Sequence, residues 1–149
     1  MPEIRAVLDT SVYVSALLSS QGAAGRVLNA GFERGLFVPV TSLAILEELI
    51  DVIARPAIMK RARRNLVQLA AFHRWVECNA EIAAGVYQDL DIVPQDIKDN
   101  AIAATALEGQ VPYLVSLDDH FLRLKALRLP GHPIVQILHP QAFLRIVGR

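Results

Sequence analysis

Short apolar runs alternate with stretches of helical period along this sequence, and that alternation limits the fold more than any other feature. The runs are residues 4–8 ("IRAVL"), 36–40 ("LFVPV"), 81–84, 113–117 ("YLVSL") and 134–138 ("IVQIL"). Each has the length of a strand. Helical patterns lie between them, first over residues 9–18, with Val12, Ala16 and Leu17 on one face, and then over 26–34. Behind Ser42, Leu43, Leu46, Ile50 and Ile53 recur at helical spacing. A basic helical stretch follows over 59–76, then a loop from 89, and helices over 98–108, 121–127 and 139–147. Ser42 is a residue type that caps helix starts. Pro56 ends the helix before it, and Pro140 suits a first helical turn. Pro39 marks its strand as short or at an edge. Strands separated by helices give a mostly parallel sheet with helices on both faces. The expected architecture is therefore a three-layer α/β/α sandwich.

Composition narrows this further. A chain of 149 residues with 53% apolar content is expected to form one domain over 1–149 with a sizeable core. Lys plus Arg and Asp plus Glu number 15 each. Global charge therefore points to no partner, and nucleic-acid binding would need local basic clusters. Cys78 stands alone, which excludes an internal disulfide and argues against a thiolate metal site. Glu3 and Arg5 interrupt the start, and no apolar run approaches ~18 residues. The expectation is a cytoplasmic protein with no membrane segment.

Ligands of open parallel sheets bind at the carboxyl ends of the strands. Asp9, in "VLDTSV", lies just past the first run, and Asp118 lies one residue past "YLVSL". Each alone is equally readable as a helix cap; two at one rim are less so. Asp99 opens "DNAIAATAL", above Ile102, Ala103 and Ala106 on an apolar face. Capping is again the alternative, with Asp96 competing for it. Residues three and four apart share a helix face. Glu47 thus joins a polar stripe with Asp51 and Arg55, while Glu48 has Ala44, Ile45 and Val52 around it. A carboxylate held against a core needs a reason.

Asp9, Glu48, Asp99 and Asp118 are therefore the candidate site. Two like charges ~4 Å apart repel by ~4 kcal/mol at an effective dielectric near 20. Either some carboxylates take up protons or a cation sits among them. Oxygen-only ligands favour Mg²⁺ or Mn²⁺, and such an ion serves metal-dependent phosphodiester hydrolysis. Ser11 and Ser116 are placed to orient carboxylates, or simply to make turns and caps.

These residues resemble the motifs of the PIN-domain ribonucleases, in particular the VapC-like toxins of bacterial toxin–antitoxin operons. The likeness runs over nearly the whole chain. "VLDTSV" resembles the family's opening hydrophobic-hydrophobic-Asp-Thr-Asn. "TSLAILEELIDVIARP" resembles its serine-initiated helix and puts the glutamate on Glu48. "DIKDNAIAATAL" resembles the third motif, with Asp99 as its aspartate, and "YLVSLDDHF" the fourth, with Asp118 and Ser116. No single motif is specific, but their order and spacing together are. The family's Asn in the first motif is Ser11 here, and Asp119 and His120 stand where many relatives carry an acidic residue one place later. The resemblance implies an α/β/α sandwich, Mg²⁺ or Mn²⁺ bound by Asp9, Glu48, Asp99 and Asp118, and cleavage of RNA to 5′-phosphate and 3′-hydroxyl ends. It also implies a homodimer and an inhibiting antitoxin.

RNA approaching an acidic site needs nearby positive charge. Arg55, Lys60, Arg61, Arg63 and Arg64 form one basic cluster, and Arg123, Lys125 and Arg128 another. Arg55, Lys60, Arg123 and Lys125 are the candidate RNA contacts, against the alternative of solvated helix faces. His73, His120, His132 and His139 lack metal-ligand spacing and read as surface or loop residues. Leu66, Leu69, Ala70, Phe72 and Val76 form an apolar face suited to core or dimer contact. Two other readings compete. A haloacid-dehalogenase-like phosphatase also opens on a strand-end Asp, but needs a second Asp where Ser11 stands. A catalytically degenerate PIN-like module would bind RNA or protein without cutting.

Overall fold

A computed structural model describes residues 3–93 and 97–148, so Asp96 lies outside the described residues. The sheet has the order β3-β2-β1-β4-β6-β5. Its strands are β1 (Arg5–Leu8), β2 (Val38–Ser42), β3 (Glu81–Ala83), β4 (Tyr113–Val115), β5 (Ala126–Leu127) and β6 (Val135–Leu138). All pairings are parallel except that of β5 with β6. From β1 the chain first builds outward through β2 and β3, and then returns to the other side of β1 with β4. The strand order therefore reverses between β1 and β4, where open α/β sheets form a crevice at the carboxyl rim.

The helices are α1 (Thr10–Leu18), α2 (Ala23–Leu28), α3 (Leu43–Ile53), α4 (Pro56–Ala62), α5 (Leu66–Asn79), α6 (Ile97–Glu108), α7 (Asp119–Leu122) and α8 (Pro140–Val147). The period-2 alternation of β1 divides the core into two layers. Ala6 and Leu8 pack with residues of α1, α2, α3, α5 and α8. Val7 faces the other way, into Ile102, Ala103, Ala106 and Leu107 of α6. The result is the expected α/β/α sandwich around a mostly parallel sheet.

Several elements depart from the sequence reading. Strand β2 begins two residues late and is not at an edge, despite Pro39. The Val38 amide bonds to the carbonyl of Ile4, the residue just before β1, so the next nitrogen, that of Pro39, faces the β3 side. Pairing with β3 starts only at Val40, and the missing N–H costs no ladder bond. In α3 the buried stripe is Ile45, Leu46, Leu49 and Ile53, leaving Leu43 61% exposed and Ile50 at the surface. That helix is apolar on two stripes, and periodicity could not choose between them. The stretch over 59–76 is two helices, because Arg63 takes a left-handed φ of 55° and Asn65 starts α5 with a reciprocal capping box to Gln68. Its apolar face is only partly used, with Leu69 and Val76 buried, Phe72 half-buried, and Leu66 and Ala70 exposed. Residues 121–127 split into the end of α7 and strand β5, with Lys125 left-handed between them. The pattern over 26–34 is the end of α2 followed by a π-helical turn, Asn29–Glu33. Gly31 is required there: a Cβ would lie 2.5 Å from the Phe37 ring. The loop expected from residue 89 lies in part outside the described residues, and α6 is described from Ile97, one residue before the expected helix start at 98.

Candidate active site

A cleft of about 490 Å³ opens at the switch point between β1 and β4, and Asp9, Glu48, Asp99 and Asp118 all line it. The four come from different elements. Asp9 follows β1, Glu48 sits on α3, Asp99 is in the first turn of α6 and Asp118 follows β4.

Asp9 occupies the N-cap position of α1, yet its side chain makes no capping bond. It is only 5% exposed. One oxygen, Oδ2, accepts from Ser116 Oγ at 2.6 Å and Ser11 Oγ at 3.0 Å. Those hydroxyls are tied in turn to the β4 end. Ser116 Oγ accepts the Asp118 amide at 3.0 Å, and Ser11 Oγ accepts the Leu117 amide at 3.1 Å. The two serines thus lock one carboxylate to the loop that carries another. Ser11 performs this support from the position where the family's Asn was expected. Asp118 is exposed, and its Oδ1 accepts the His120 amide at 2.9 Å, so it does cap α7. Asp99 is 6% exposed, above the inward face of α6. Glu47 is exposed and Glu48 half-buried. Glu48 Oε2 accepts from Thr10 Oγ1 at 3.1 Å, and its Oε1 lies 3.9 Å from Lys98 Nζ.

The electrostatics carry the mark of crowding. Burial raises the Asp9 carboxyl pKa above its ordinary value; the serine bonds oppose this and the Asp118 charge adds to it. Burial likewise raises Glu48; Thr10 opposes, the Asp9 charge adds, and Lys98 and Arg55 oppose. Each of these anions is disfavoured partly by another carboxylate. The donor set is all oxygen, the chemistry of a hard divalent cation. Among the described residues, no three His, Cys, Asp or Glu side chains are gathered closely enough to hold an ion between them. An ion that keeps several waters fits such a spread arrangement, since some carboxylates then act through water.

The basic candidates lie elsewhere. Arg55, Lys60, Arg123 and Lys125 do not line the cleft, and Arg55 bonds Asp51 at 3.2 Å, as the helix stripe predicted. The cation that does line it is Lys98, which sequence reasoning treated only as the start of a helix. Thr10 was missed as a partner of Glu48; its place beside Asp9 was the available signal. Of the histidines expected at the surface or in loops, His73 departs, while His132 and His139 do lie in loops. His73 is half-buried on α5 with Nε2 2.8 Å from the Leu46 carbonyl oxygen, and His132 pairs with the Tyr87 hydroxyl at 2.7 Å. His139 caps α8 through the Gln141 amide.

Residues 5–120 match the family model of the PIN domain, a span that takes in all four cleft carboxylates. The chain belongs to the PIN-domain family. PIN domains are generally nucleases and generally use divalent metal ions. This PIN domain is similar in fold to a chain in the crystal structure of VapBC2 from Rickettsia felis bound to a DNA fragment from their promoter. The TM-score is 0.58 at 16% identity, covering 91% of this chain and 99% of that one. Comparison with curated proteins gives no match. Among the described residues of this PIN domain, no helix is long and apolar enough to cross a membrane.

Proposed function

We propose that this PIN domain is an Mg²⁺- or Mn²⁺-dependent endoribonuclease, the toxin of a toxin–antitoxin pair, acting in the cytoplasm as a homodimer. The observation that carries the catalytic part is the convergence of four separately positioned carboxylates on one cleft at the switch point. The likeness of fold to a VapBC2 chain supports the antitoxin partner.

Asp9, Asp99 and Asp118 would hold the ion, and Glu48 would either join them or serve as the base toward the attacking water. Once bound, the ion supplies charge neutralisation at the phosphodiester and activation of that water. The chain's own residues do the rest. Ser116 and Ser11 fix the Asp9 carboxylate by two hydrogen bonds. Thr10 fixes Glu48, whose raised proton affinity suits a base. Arg55, Lys60, Arg123 and Lys125 are proposed to meet RNA outside the cleft. A second reading, a PIN fold that binds without cutting, draws on one observation: the described carboxylates are not gathered around a common point.

The test is cleavage of a mixed-sequence RNA by purified protein with Mn²⁺, with Mg²⁺ and with chelator, beside Asp99→Asn. Metal-dependent cutting that is lost in the variant supports the nuclease. No cutting, together with no rise in melting temperature on adding Mn²⁺, favours the binding module. No cutting with a clear rise points to another substrate for the same cleft.

A further inference from the structure

The cleft lining contains a single cationic side chain among the described residues, Lys98. The nuclease reading gives it no task. Its position runs against local electrostatics, because it sits in the first turn of α6, where the helix dipole favours anions and disfavours ammonium groups. Its side chain is 65% exposed, and its Nζ stands 3.9 Å from Glu48 Oε1, at the outer limit of an ion pair. Such a pair is weak and easily broken. Glu48 does not depend on it for its placement, because its other oxygen is held by Thr10. Lys98 is thus a largely exposed, loosely paired cation at the mouth of an acidic cleft, next in sequence to the buried Asp99.

Resting on the nuclease reading, we propose that Lys98 is a substrate-contacting residue. Its ammonium leaves Glu48 and bonds a non-bridging oxygen of the RNA phosphodiester at or beside the cleaved bond. A polyanion entering between four carboxylates meets repulsion. The proposed RNA contacts around α4 and beyond α7 do not line the cleft, and only Arg55 among them acts on a cleft carboxylate, at longer range than Lys98 and with the weaker effect on Glu48. Lys98 relieves the repulsion at the entrance, and it draws the phosphate toward the carboxylates rather than merely toward the surface. The ligand chemistry is a phosphodiester of single-stranded RNA.

The test is RNA binding and cleavage by Lys98→Met, which keeps the stem and removes the charge, with Lys98→Arg and Lys98→Gln beside it. Binding is measured to a short single-stranded RNA with the metal chelated, over a series of salt concentrations. Each lost phosphate contact lowers the salt-dependence slope by ~0.7 on a single strand. The expected result is about tenfold weaker binding by the Met and Gln variants, the size of a charged hydrogen bond, a slope lower by ~0.7, and near-normal behaviour of the Arg variant. The same loss should persist in a Glu48→Gln background, where a residue acting only through Glu48 would show none. Wild-type cleavage with unchanged affinity and slope in the Met and Gln variants overturns the Lys98 assignment alone. A wild-type protein that neither binds nor cuts RNA overturns the nuclease reading and this assignment with it.

Discussion

Asp9→Asn should make the metal-free protein more stable while abolishing its activity. Asp9 is almost fully buried, with one oxygen accepting two serine hydroxyls. Asn has the same shape and keeps an oxygen that can accept both. What disappears is a charge disfavoured by burial and by Asp118. Relief of this kind of functional-site strain is worth about 0.5–2 kcal/mol, or roughly 2–6 °C in Tm for a chain of this size. Metal reverses the order. An ion at about 100 times its Kd stabilises the wild type by ~2.7 kcal/mol, while the variant has lost a ligand and gains little. Activity should fall at least 100-fold, since even outer-shell partners of a metal cost about 10–100-fold. The assay is thermal melting of both proteins in chelator and across a Mn²⁺ titration, with RNA cleavage alongside. A variant less stable than the wild type in chelator by more than about 1 kcal/mol would overturn this expectation. It would mean that Asp9 is a structural hub whose hydrogen bonds outweigh its electrostatic cost.

The pH dependence follows from the same carboxylate. An acid whose folded-state pKa is raised binds its proton more tightly when folded. Stability from that group is then greatest below the unfolded pKa, ~3.9 for Asp, and is lost as pH rises through the folded value. The advantage of Asp9→Asn in chelator should be absent near pH 3.5 and grow as pH rises through the folded-state value, as read by denaturant titration. Ser116→Ala removes the 2.6 Å bond to Asp9 and the acceptor for the Asp118 amide. It should lower stability by about 1.5–3 kcal/mol and cleavage about 10–100-fold, where Asp9→Asn raises one and lowers the other. Glu48→Gln should reduce cleavage at least tenfold, whereas Glu47→Gln, on the exposed face, should stay within a factor of about two; steady-state rates on one RNA compare them.

The fold was legible because burial on both faces of a parallel sheet leaves apolar runs, and the helices between them leave a different period. The shared position of the candidate carboxylates was legible for a related reason: Asp9 and Asp118 each interrupt the chain just after a strand, where a sandwich of this kind has its crevice. Glu48 could be told from Glu47 because only one of them has apolar neighbours three and four residues away. Other features depended on contacts that no local pattern encodes. The inward stripe of α3 had two equal candidates. Pro39 could sit inside the sheet because β3 starts one residue late. The break at Arg63 was announced by Asn65 and Gln68, but the apolar spacing across it hid the signal. Lys98 was overlooked because its importance lies in being beside Glu48, fifty residues earlier in the chain.

The most direct measurement is the anomalous difference density of Mn²⁺ in crystals of this protein. A peak is expected inside the β1–β4 cleft, with at least one of Asp9, Asp99 and Asp118 in direct contact at about 2.0–2.2 Å, the range of a hard divalent ion, and loss of that peak in Asp9→Asn. A protein that cleaves RNA with Mn²⁺ while the cleft stays empty and the ion lies elsewhere would contradict this expectation.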